Sequence, residues 1–167
     1  SFFGKMSAKF RYASKPPAML LTHPLPESRI ADARQRAHNY PIKQLPASLN
    51  FELAKSRIQA RYQNNAVDNI AYFKQQLQKQ SYALKASAEY GLALSYFEHG
   101  EYLQAKSILE SLKKGDKNNL FYIDALTDVY ISLKEYEQAL TMLSRSSLLM
   151  PNNQVISLNY GNALLSA

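Results

Sequence analysis

GEYLQAKSILESL (Gly100–Leu112) and KEYEQALTMLSRS (Lys134–Ser146) are two copies of one pattern, 34 residues apart. At that offset Tyr102 falls on Tyr136, Gln104 on Gln138, Ala105 on Ala139 and Leu109 on Leu143. Upstream, Leu92 falls on Leu126 and Tyr96 on Tyr130, and "DKNN" at Asp116 meets "MPNN" at Met150. A fixed period of this length marks a repeat architecture. The small Ala105 and Ala139 predict a close helix crossing, with Tyr96, Leu109, Tyr130 and Leu143 filling the wedge between helices. One helix pair cannot bury its apolar face alone, so neighbouring pairs must stack.

The period, the small residue after Tyr-x-x and the proline near the repeat end resemble the tetratricopeptide repeat. The fold class this implies is all-α, a helical solenoid. The spacing places repeats at about 86–119 and 120–153, with a half repeat at 154–167 holding Tyr160, Gly161 and Leu164. Stepping back 34 residues reaches Ile58, Tyr62 and Ala71, a degenerate repeat at about 49–82. The closing "SLNYGNALLSA" is not the polar cap that ends a solenoid, so a piece of a longer chain is expected. In the tetratricopeptide family the first helix of each pair lines a groove. The resemblance puts Tyr90, Leu94 and Phe97 there from one repeat, and Phe121, Asp124, Asp128 and Ile131 from the next. A groove reading C-terminal carboxylates needs Lys, Arg or Asn as donors, and only Asn162 fits. An extended or helical protein segment with apolar anchors is the expected occupant.

Hydrophobic residues make up 46% of the 167, enough for a core, and no apolar run is long enough for a membrane span. There are no cysteines, which excludes disulfides and thiolate metal sites. The net charge of +7 is uneven: residues 1–43 carry eight basic and two acidic groups, so +6 belongs to them. Nucleic-acid binding would want aromatics among those charges, and Tyr12 and Tyr40 are too few. His23, His38 and His99 have neither i,i+4 spacing nor H-E-x-x-H, whereas zinc needs three or four ligands. No Ser/His/Asp set or phosphate loop assembles, and on its own residues the chain is not expected to be an enzyme.

The front third reads differently. Phe2, Phe3, Met6, Phe10 and Ala13 suit one face of a short helix. Pro16, Pro17, Pro24 and Pro26 then interrupt the chain. Pro26 and Glu27 suit a helix start. "ESRIADARQRAHNY" follows, with Ile30, Ala33 and Ala37 on one face and Asp32 spaced to pair with Arg36. "PIKQLPAS" is a linker into the repeats. From Arg11 to Ala37, around "PPAMLLTHPLPESRIADAR", the chain is similar to the BepA-like branch of the H-E-x-x-H zinc metallopeptidases, in which such repeats follow the protease.

That resemblance implies two domains: residues 1–43, the helix–loop–helix end of a metallopeptidase domain, and residues 44–167, the solenoid. The zinc motif would lie before Ser1, so zinc is the longer protein's cofactor and this stretch carries none. His23 matches the histidine of a Thr-His-Pro motif that can act as an extra, regulatory zinc ligand. Arg29 matches the motif arginine that supports the active site. The function implied is the interaction portion of a periplasmic protease and chaperone. Its partners would be the outer-membrane β-barrel assembly machinery and the clients of that machinery. The rival reading is a stand-alone tetratricopeptide adaptor without peptidase activity. Phe2, Phe3 and Phe10 also suggest self-association through residues 1–43.

Overall fold

A computed structural model describes residues 26–40 and 46–167. The chain divides into two units, Ser1–Leu45 and Pro46–Ala167. Among the described residues every regular element is a helix.

The first unit contributes α1, Pro26–His38. Proline suits its first position, where a backbone N–H has no partner to lose. Arg36 Nη2 donates to Asp32 Oδ2 at 2.7 Å, one turn apart as the spacing predicts, in an exposed pair that contributes little to stability. The helix expected over residues 1–13 and the loop bearing His23 lie outside the described residues.

The second unit holds α2 (Leu49–Tyr62), α3 (Ala66–Gln78), α4 (Lys85–Glu98), α5 (Tyr102–Gly115), α6 (Leu120–Ser132), α7 (Tyr136–Leu149) and α8 (Gln154–Ser166). Three-residue turns join α2 to α3, α4 to α5 and α6 to α7, and connections this short make each pair an antiparallel hairpin. The second helix of each pair packs against the first helix of the next: α3 on α4, α5 on α6, α7 on α8. The first helices also touch in sequence, α2 on α4, α4 on α6 and α6 on α8. The result is a helical repeat solenoid.

Its core follows the repeated positions. Ala105, Ala139, Leu109 and Leu143 are fully buried, with Leu126, Ile123 and Val129 between them. Tyr130 is buried as expected, whereas Tyr96 is only half-buried. Asn65, Asn119 and Asn153 cap α3, α6 and α8, their side chains accepting from backbone N–H groups in the first turn. Two of the three hairpin turns, those after α4 and α6, use a left-handed residue. Gly100 supplies it at φ +85°, and Lys134 holds the equivalent place at φ +59°.

The degenerate repeat departs from the expected register. α2 precedes α4 by 36 residues, and α3 precedes α5 by 36, because the turn from α3 to α4 is two residues longer than the later ones. Ile58, Tyr62 and Ala71, the positions reached by the 34-residue step, are therefore exposed. Ser56, Ala60 and Asn69 take the buried positions. Asn69 stands where Ala105 and Ala139 stand later, and its buried amide donates to the carbonyls of Ala60 and Asn64 at 2.9 and 3.0 Å. Phe73 from α3 also fills space that the later repeats leave to smaller groups. A Cβ on Gly91 would lie 2.3 Å from its ring, so α4 needs glycine there.

Candidate partner-binding face

The first helices of all four repeats meet in one polar network. Arg57 on α2 donates from Nε to Tyr90 Oη on α4 at 2.9 Å and from Nη2 to Asp124 Oδ2 on α6 at 2.6 Å. The other oxygen of Asp124 accepts from Asn159 Nδ2 on α8 at 2.9 Å. The Arg57 guanidinium also lies 5.2 Å from the centroid of the Phe121 ring and 5.9 Å from that of Tyr90, within cation–π range. Tyr90 meets Phe121 edge-on at 6.0 Å.

Burial disfavours charge on both Arg57 and Tyr90. For Arg57, Tyr90 and Asp124 outweigh it and its pKa is raised. For Tyr90, burial dominates, Arg57 opposes, and the pKa is pushed up to about 12, so the hydroxyl stays neutral. Each group is held by the others, which fixes four helices relative to one another.

One turn further along α2, Arg61 lies 3.5 Å from Asp128 on α6 and 3.6 Å from Glu98 on α4. Its Nε is buried with no hydrogen-bond partner, since Glu98 stands just too far off. Burial raises the pKa of Asp128; Asp124 adds to the rise, Arg61 and Arg57 oppose it, and Glu98 adds again.

The expected groove residues thus separate into two sets. Tyr90 and Leu94 are core residues, 0% and 1% exposed, and present no surface to a ligand. They face inward because α2 and α6 pack on either side of α4. Phe97, Phe121, Asp124, Asp128 and Ile131 are partly exposed. Phe121 and Asp124 line an open pocket of about 210 Å³ with Arg57, Leu120 and Val155.

The two carboxylates do not stand free, because Arg57 and Arg61 arrive from the degenerate repeat. Sequence reasoning missed both arginines and Asn159. A signal was there: two arginines one turn apart on α2 match two aspartates one turn apart on α6. Arg29 lies in α1, His23 lies outside the described residues, and His38 and His99 end α1 and follow α4. Among the described residues no three His, Asp or Glu side chains gather as a metal would require. Among them, too, no helix is long and apolar enough to cross a membrane.

No family model matches the chain. Known proteins do. The Escherichia coli K12 beta-barrel assembly-enhancing protease is 34% identical over 165 residues, covering 99% of this chain. The chain is homologous to the beta-barrel assembly-enhancing proteases along almost its whole length. The protein of that name from Yersinia pestis is 31% identical over 163 residues, and a Vibrio cholerae relative is 42% identical over 165, each covering 98% of the chain. In all three the chain spans 34% of the relative's own length, so it corresponds to about a third of these proteins.

Proposed function

We propose that residues 46–167 are a tetratricopeptide-type docking module of a BepA-like envelope protease. In this reading the module acts in the periplasm and binds proteins, namely the β-barrel assembly machinery and its clients. The proteolytic chemistry belongs to the remainder of the longer protein. The observation that carries the reading is the shared face of the first helices, where Arg57, Tyr90, Asp124 and Asn159 hold four helices in one arrangement. A face preorganised in this way loses little entropy when a partner binds. Beside the network, Phe121, Leu120 and Val155 offer an apolar anchor pocket of the kind that seats a protein side chain. The names of the relatives supply the biological setting.

The test is capture from envelope extracts. A photo-crosslinking residue at Val155 is expected to trap β-barrel assembly components, and one at exposed Gln78 on α3 is not. Val155→Asp should weaken capture several-fold with helicity unchanged, as should Phe97→Ala combined with Ile131→Ala. Equal trapping at both positions, or capture unaltered by Val155→Asp, would overturn the assignment.

A further inference from the structure

A second site lies on the other set of helices. α5 and α7 flank a cleft floored by α6, and one pocket of about 280 Å³ there is lined by Lys113, Lys114, Lys117, Arg145, Leu126, Tyr130 and Glu110. Two neighbouring depressions share Lys113 and Arg145, so these two cations occupy the centre of the cleft. Elsewhere in the solenoid some cations are paired with acids, while Lys74, Lys79 and Lys134 have no carboxylate within 4 Å among the described residues. Arg57, Arg61, Lys106, Lys85 and Lys55 each have a carboxylate within 4 Å. Among the described residues no carboxylate lies within that distance of Lys113, Lys117 or Arg145.

Two carboxylates also line the cleft, but neither comes within 4 Å of Lys113, Lys117 or Arg145. Glu110 accepts from Tyr130 Oη at 3.0 Å, and Glu137 lines the outer depression beside Arg145. Lys113 is half-buried, and burial lowers its pKa, with Arg145 and then Lys117 adding to the effect. Lys117 and Arg145 are exposed, and their like charges beside the half-buried Lys113 are unfavourable until an anion joins them.

We propose that this cleft binds a phosphate-type oxyanion, gripped by Lys113, Lys117 and Arg145. The arginine supplies a planar fork for two oxygens and the lysines supply point charges, a donor set that matches a doubly charged phosphate better than a single carboxylate. Leu149, exposed beside the neighbouring depression, offers an apolar wall that suits the organic part of a phosphate ester. A soluble phosphate and a lipid phosphate headgroup share this chemistry.

Calorimetric titration of the 167-residue chain with inorganic pyrophosphate tests it, alongside co-sedimentation with phosphatidylglycerol–phosphatidylcholine vesicles. Saturable pyrophosphate binding is expected, weakened about tenfold or more by Arg145→Gln. Lys113→Gln should weaken binding too, while raising the ligand-free melting temperature, because it removes a like charge. Vesicle binding that Arg145→Gln abolishes would assign the site to a headgroup, and pyrophosphate binding without vesicle binding would assign it to a soluble phosphate. No saturable pyrophosphate binding, or binding indifferent to both substitutions, would overturn the proposal. Equal weakening by Lys74→Gln on α3 would overturn it as well, since that marks a diffuse charge effect.

Discussion

Arg57 is the residue on which the first-helix face depends. It reaches α4 through Tyr90 and α6 through Asp124, and Asp124 passes the connection to Asn159 on α8. Removing it leaves a partly buried carboxylate without its cation, which costs more than the net worth of the pair. Arg57→Met should therefore destabilise the chain by about 1–3 kcal/mol in urea unfolding. The double variant Arg57→Met with Asp124→Leu should cost less than the sum of the single changes. Additive losses would mean that the two residues are not coupled. Neither Arg57 nor Asn159 was legible as part of this face. Periodicity identifies positions within a repeat, but the partner of a charged side chain depends on which helix stacks beside it.

At the scale of the helix pair, the tight turns after α4 and α6 set a demand that individual residues meet unequally. Gly100 adopts φ +85° without cost, whereas Lys134 pays for the same left-handed turn with Cβ crowding. Lys134→Gly should stabilise the chain by up to about 1 kcal/mol, and Gly100→Ala should destabilise it by a similar amount. Paired thermal melts would check both signs, and a loss on Lys134→Gly would show that its side chain does more than fill the turn. This equivalence was legible, since Gly100 and Lys134 open the two aligned stretches. The register of the degenerate repeat was not. Two extra residues between α3 and α4 move the buried set from Ile58, Tyr62 and Ala71 to Ser56, Ala60 and Asn69. A helix has no memory of the period, and its inward face is chosen by what it packs against.

At the scale of the whole solenoid, stacking concentrates charge from three helices beside Asp128. Arg61 and Arg57 come from α2, Glu98 from α4, and Asp124 lies one turn away on α6. The folded chain raises the pKa of Asp128, so it binds that proton more tightly than the unfolded chain does. The contribution to stability is then present at acid pH below the usual aspartate range and is lost as pH rises through the raised value. Asp128→Asn should therefore increase the urea midpoint at pH 7, and the gain should shrink toward zero near pH 4. A destabilised Asp128→Asn at pH 7 would mean that the Arg61 pair outweighs the burial. The all-helical class, the hairpin order, the close crossings at Ala105 and Ala139 and the wedge residues Leu109, Tyr130 and Leu143 were legible in the sequence, because a 34-residue period is a local signal that each copy repeats; Tyr96, expected in the same wedge, is only half-buried. Only the tertiary structure paired Arg57 with Asp124, turned Tyr90 and Leu94 into the core, and gathered Lys113, Lys117 and Arg145 around one cleft. Those contacts join residues from different repeats, and which side chains share a space is decided by the rotation and separation of stacked helices.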